Sequence, residues 1–218
     1  NTSEAQAVTL DINNLDEVAP TITSDTTAMA IDENSGAGQI IYTAAADDSA
    51  DVSDTPIAYS LAEGSDSALT IDASTGAVTL TADPDYETQS LYSFGVIATD
   101  AAGNASAAQS VTLDINNLDE AAPTIISAET ASVVESKEIG SVVYQTQVDD
   151  SADISAGINF SLSDDSDTAL TIDTETGAVT LNEDPIYNPD GDLNTYIFTV
   201  IANDGVNQAQ KEVTLTVI

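Results

Sequence analysis

The stretch Asn14-Leu15-Asp16-Glu17-Val18-Ala19-Pro20 returns as Asn117-Leu118-Asp119-Glu120-Ala121-Ala122-Pro123, with the two prolines 103 residues apart. Each copy follows an alternating apolar run, Val8 to Ile12 or Val111 to Ile115, and precedes an extended Pro-Thr-Ile segment. It therefore falls where one folded module hands over to the next. An Asn, an Asp and a Glu within four residues, with a Pro three positions on, make a short, stiff, acidic hinge. Unneutralised, its charges repel one another, so the residues predict a cation site between tandem modules.

Working outward, the repetition widens. Residues 1–17 match 104–120 at all but three positions. Ser-Asp-Ser-Ala-Leu-Thr-Ile-Asp at 65–72 returns as Ser-Asp-Thr-Ala-Leu-Thr-Ile-Asp at 166–173, and Thr-Gly-Ala-Val-Thr-Leu at 75–80 returns at 176–181. We read residues 1–17 as the last strand and linker of a preceding repeat, 18–119 as a first full repeat and 120–218 as a second. The apolar period inside a repeat is two. Tyr92, Phe94, Val96 and Ala98 alternate with Ser93, Gly95, Ile97 and Thr99, Tyr196, Phe198, Val200 and Ala202 answer them in the second repeat, and Val213, Leu215 and Val217 alternate likewise at the end. Further strands are expected near 28–31, 38–46, 57–61, 69–72 and 77–81, separated by Gly, Asp, Pro and Ser clusters. About seven short strands per hundred residues predict an all-β protein of tandem immunoglobulin-like sandwiches. Residues 1–13 read as a last strand without its sheet, which frays or borrows a neighbouring edge.

Composition excludes several functions. Against 38 Asp and Glu stand Lys137 and Lys211 alone, with no Arg or His, for a net charge of −36. Nothing can replace the counterions of phosphates, so nucleic acid is not an expected partner. No apolar run is long enough to span a bilayer, so no direct membrane insertion is expected, and no signal peptide opens what reads as an interior piece of a longer chain. The chain has no Cys, which with the missing His removes thiol nucleophiles and imidazole acid–base chemistry. We therefore expect no enzyme. Paired carboxylates could serve a glycosidase, but these acids fall at strand ends and linkers. Scattered acids read as a solvated surface, and the clustered ones as oxygen ligands for a hard cation such as Ca²⁺.

Sandwich loops gather at two poles. One pole collects the linker with Asp47-Asp48-Ser49-Ala50-Asp51 and Asp100, or in the second repeat Asp149-Asp150-Ser151-Ala152-Asp153 and Asp204. The other collects Glu33 with Asp85-Tyr86-Glu87, and in the second repeat Glu135. This ordered set resembles the calcium motifs of cadherin repeats, most nearly the bacterial cadherin-like repeats of large secreted, RTX-type adhesins. The resemblance spans nearly the whole chain and implies seven-strand Greek-key sandwiches with several Ca²⁺ ions at each domain junction. It implies Glu33, Asp85 and Glu87 as upstream ligands, Asn117, Asp119 and Glu120 from the linker, and Asp150, Asp153 and Asp204 from downstream. At the earlier junction the same roles fall to Asn14, Asp16, Glu17, Asp48, Asp51 and Asp100. Three departures stand out. The family linker usually reads Asp-x-Asn-Asp-Asn-x-Pro, and Asn117 removes one of its charges. The downstream Asp-x-Asp is stretched, so Asp149 competes with Asp150. In the second repeat Ile186-Tyr187-Asn188 replaces Asp85-Tyr86-Glu87 and loses both carboxylates.

The insertion at 188–194 places oxygens at alternate positions as an EF-hand loop begins, yet Thr199 stands at the twelfth place. A polar turn and a local Ca²⁺ site both stay open there. The favoured function is a calcium-binding extender or adhesion module of an extracellular, bacterial cell-surface protein. Its partners would be neighbouring repeats of the same chain, with homophilic or glycan contact left open. The alternative is a carbohydrate-binding module of a surface or polysaccharide-degrading protein. Trp is absent, however, and only Tyr86 and Tyr187 of the seven Tyr fall in loops.

Overall fold

The computed structural model describes residues 1, 3–50, 56–154, 156–187 and 195–218. It divides into two compact units, Asn1–Asn117 and Leu118–Ile218. Among the described residues there is no helix.

In the first unit the strands are β1 (Thr21–Ile22), β2 (Ile31–Asp32), β3 (Gln39–Thr43), β4 (Ala46–Asp47), β5 (Ala58–Leu61), β6 (Leu69–Ile71), β7 (Ala77–Leu80), β8 (Leu91–Thr99) and β9 (Gln109–Asn116). One sheet has the order β2-β9-β8-β5 and the facing one β3-β7-β6, while β1 pairs with β4. β1 and β2 are two halves of one opening strand, and β3 and β4 of the next, which leaves the seven strands of a sandwich. The opening strand starts against β4, Thr21 opposite Asp47. It then crosses to lie parallel to β9, Ile31 opposite Ile115. Residues near 28–31, expected as a full strand, contribute only β2 and an isolated bridge from Thr27 to Thr112.

The second unit repeats this plan with β10 (Thr124–Ile125), β11 (Thr130–Val133), β12 (Val142–Gln145), β13 (Val148–Asp149), β14 (Asn159–Leu162), β15 (Leu170–Ile172), β16 (Ala178–Leu181), β17 (Thr195–Asn203) and β18 (Gln208–Val217). Its sheets run β11-β18-β17-β14 and β12-β16-β15, with β10 beside β13.

Alternation places the cores. On β8, Tyr92, Phe94, Val96 and Ala98 are buried while the residues between them are not. Val111, Leu113 and Ile115 of β9 join them, and Phe198, Val200, Val213 and Leu215 do the same in the second unit. Each such side chain contributes about 1.5–3 kcal/mol on burial. Tyr42 meets Phe94 edge to face at 5.6 Å, and Tyr144 meets Phe198 at 5.5 Å. The Tyr42 hydroxyl lies 2.6 Å from Ser24 Oγ and from the Asp25 carbonyl, which ties the opening segment to the core. Gly76, at φ +70°, closes the β6–β7 turn where a Cβ would sit 2.7 Å from the Ala44 carbonyl.

Residues 1–13 form no strand where described. Val8, Leu10 and Ile12 are 87%, 86% and 88% exposed, whereas Val111, Leu113 and Ile115, in a nearly identical sequence, are at most 3% exposed. The difference is the presence of β2 and β8 on either side of β9.

Candidate metal centre

In the first unit, the linker residue Asp16, Asp48 just past β4 and Asp100 just past β8 converge at one pole. A carboxylate oxygen from each lies within 4.8 Å of the others. β4 ends where β1 begins, and β8 packs against β1, so the sandwich topology itself delivers the three segments. Asp100 is 5% exposed. Burial pushes its carboxyl up, but the Asn104 side chain and the Asn104, Gly103 and Ala102 amides outweigh burial and hold it below the usual carboxylate value. Asn104 Nδ2 donates to Asp100 Oδ2 at 2.9 Å and to the Asp16 carbonyl at 3.1 Å, so one amide pins the linker to the pole. Asp16 Oδ2 is buried without a hydrogen-bond partner. Asn14 and Glu17 are exposed, and Asp51 lies outside the described residues.

The second unit builds the same pole from the corresponding residues. Asp204 is 2% exposed, and its Oδ1 accepts from the Val206 and Asn207 amides. Asn207 Nδ2 donates to the carbonyl and to Oδ1 of Asp119, at 3.2 and 3.3 Å. Asp153 Oδ2 accepts the Glu120 amide at 2.9 Å. Burial, followed by the charges of Asp204, Asp153 and Asp150, raises the Asp119 carboxyl above its ordinary value, and Asn207 only partly opposes this. Oδ2 of Asp119, Asp150 and Asp204 are each buried without a hydrogen-bond partner. Asp149 is engaged elsewhere. It belongs to β13, pairs with Thr124, and accepts from Ser151 Oγ and N at 2.7 and 3.1 Å. Those bonds, side chain first, lower its carboxyl.

At the opposite pole of the first unit Glu33, just past β2, is 1% exposed and accepts the Tyr86 amide at 2.8 Å. Asp85 caps the following turn by accepting from Thr88 N and Oγ1, both at 2.9 Å. Glu87 is exposed. Asn117 is partly buried at the end of the first unit. The insertion at 188–194 lies outside the described residues.

Several anionic oxygens held close together, buried and short of donors, fit a hard divalent cation. Asp, Asn and Glu supply the oxygen ligands such an ion takes, about 2.3–2.6 Å from it. Asn104 and Asn207 are the residues that sequence reasoning passed over. Their signal was an Asn three or four positions after the Asp that ends the long strand in both repeats.

By fold, the two units are tandem cadherin-like sandwiches. Residues 27–116 match the family model described as Cadherin domain. Among solved structures, the fold is similar to human protocadherin-24 EC1-2, with a TM-score of 0.72, 20% identity, and coverage of 92% of this chain and 98% of that one. It is similar to mouse cadherin-23 EC22-24, at 0.68 and 22% identity, covering 92% of this chain and 64% of that one. It also resembles Drosophila N-cadherin EC1-4, at 0.71 and 22% identity, covering 92% and 50%. No curated protein matches the sequence.

Proposed function

We propose that the chain is a non-catalytic, calcium-binding extender or adhesion module of a longer extracellular protein, most simply a bacterial surface adhesin. The observation that carries this reading is the set of buried, unpartnered carboxylate oxygens on Asp119, Asp150 and Asp204. Left uncompensated, they would destabilise the fold. Calcium, when bound, would supply the compensating positive charge. Asp16, Asp48, Asp100, Asn14, Glu17 and Asp51 would serve one junction. Glu33, Asp85, Glu87, Asn117, Asp119, Glu120, Asp150, Asp153 and Asp204 would serve the next, and Asp149 would support its own turn. Residues 1–17 would be the last strand and linker of a preceding repeat, with repeats at 18–119 and 120–218. Neighbouring repeats are then the first partners, and hinges that share ions stiffen.

Stabilisation follows mass action: about 2.7 kcal/mol at a calcium concentration a hundred times Kd, or roughly 10 °C or more of Tm for a domain of this size. Thermal unfolding in excess chelator and in matched Ca²⁺ and Mg²⁺ series tests it. The expected result is a saturable rise with Ca²⁺ well above that with Mg²⁺. Asp119→Asn should lose most of the rise for its unit while melting no lower than wild type in chelator, because it removes a repelled charge. Equal, weak effects of the two ions would mean charge screening alone, and the carbohydrate-binding reading would take precedence.

A further inference from the structure

The turn that follows the buried Asp at the linker pole is built alike in the two units, up to one residue. Between β8 and β9, Asp100 N donates to the Asn104 carbonyl at 3.1 Å, and Asp100 Oδ1 accepts Asn104 N at 2.7 Å. Between β17 and β18, Asp204 N donates to the Asn207 carbonyl at 3.2 Å, and Asp204 Oδ1 accepts Asn207 N at 2.6 Å. Ala101, Ala102 and Gly103 separate the first pair, and only Gly205 and Val206 the second. In both units the Asn side chain reaches the linker backbone, at the carbonyl of Asp16 or of Asp119.

The extra residue changes what else that amide touches. Asn104 Nδ2 also donates to Asp100 Oδ2, and Gly103 N and Asn104 N take Oδ1, so both oxygens of Asp100 are occupied. Asn207 Nδ2 donates instead to Asp119 Oδ1. Asp204 Oδ2 is left buried without a hydrogen-bond partner, as is Asp119 Oδ2. A side-chain amide has two hydrogens to give, and one that spends both on the linker does not close the neighbouring acid. Each of the two acids is thus held by one oxygen and keeps the other open. A buried carboxylate oxygen without a donor is costly, and a hard cation satisfies it.

We propose that Asn207 is a positioning residue for cation capture at the second unit's pole: it fastens the linker and one Asp119 oxygen to the β17–β18 turn, and the short turn keeps Asp204 Oδ2 open to the ion. This role presupposes the calcium reading. Turn length then sets affinity, because the longer turn closes the equivalent oxygen of Asp100. Groups that hold a metal's ligands without touching the metal are worth about 10–100-fold in affinity.

The residues assigned to this junction, from Glu33 to Asp204, all fall within the 218-residue chain, so its loading is measured on that chain. The test follows the Glu120 backbone amide by NMR in a Ca²⁺ series begun in excess chelator, with the Gly103 amide as the internal control. Asn207→Ala is expected to raise the Ca²⁺ midpoint at Glu120 about 10–100-fold and to leave the response at Gly103 unchanged. A second variant replaces Gly205-Val206 with Ala-Ala-Gly, the turn with which the first unit already folds, and should raise the same midpoint. If Asn207→Ala unfolds the unit, the turn variant decides alone. A midpoint unmoved in either folded variant overturns the inference and leaves the calcium reading standing, even where Tm in chelator falls, since that fall alone means a structural bond. A rise shared by Gly103 overturns it too. No saturable Ca²⁺ response at Glu120 in the unaltered chain overturns the calcium reading as well.

Discussion

At the scale of single residues, carboxylates of one chemical kind take different roles according to what donates to them. Asp72, in the turn between β6 and β7, accepts from Ser74 Oγ at 2.7 Å, from Thr75 N at 2.8 Å, and from Thr75 Oγ1 and Ser74 N at 3.0 Å. These bonds, the Ser74 side chain first, lower its pKa to about 2 from 3.8. The folded value lies below the unfolded one, so its contribution to stability is present above pH 3.8 and lost as pH falls towards 2. The carboxyl carbon shift of Asp72 should titrate with a midpoint near 2. Asp72→Ala should lower Tm modestly at pH 6 and by less at pH 2; an ordinary midpoint would show that the turn does not hold the charge. Asp119 has the opposite sign, because burial and then neighbouring charge outweigh the Asn207 side-chain donor. This contrast was not readable from the sequence. Asp149 and Asp150 are adjacent, and only the pairing of β13 turns the first towards Ser151 and leaves an oxygen of the second buried.

At the scale of elements, the period of two located the long strands because their apolar partners sit on a single face. Tyr92, Phe94, Val96 and Ala98 were legible for that reason, as were the matching positions of β17. The same pattern in residues 6–12 formed no strand, since alternation states which side chains could be buried and not whether a neighbour exists. Leu10 and Leu113 occupy equivalent positions at 86% and 0% exposure. Leu113→Ala should therefore cost about 2–5 kcal/mol, and Leu10→Ala less than about 0.5 kcal/mol. Urea unfolding measures both, and comparable losses would mean that residues 6–12 are packed in solution. The opening strand was also under-read. Its two halves serve different sheets, and a crossover of that kind leaves no periodic trace. Glu33 and Glu135 likewise look equivalent when each is read alone, yet the first is buried and the second exposed.

At the scale of the whole molecule, charge dominates. A net charge of −36 on 218 residues repels itself at every separation shorter than the screening length. That length falls from about 30 Å at 0.01 M salt to about 3 Å at 1 M. In chelator, Tm should rise by several degrees as NaCl increases over that range. In saturating Ca²⁺ the rise should be clearly smaller, because the most crowded carboxylates are already compensated. An equal salt dependence in both conditions would separate the acidic poles from the stability of the chain. The charge itself was plain in the composition. Its concentration at poles was expected from the sandwich plan, and strand order brings the segments after β4 and β8 to the linker in one unit and those after β13 and β17 in the other.

The near-identity of residues 6–13 and 109–116 has a genetic consequence. A crossover between the two coding copies would exchange one strand for another carrying the same three core side chains, with the same acidic linker behind it. Sequence could thus be gained or lost in whole modules, each new boundary already fitted to the slot between a β2 and a β8. The length of such a protein can then drift between generations while every sandwich in it remains foldable.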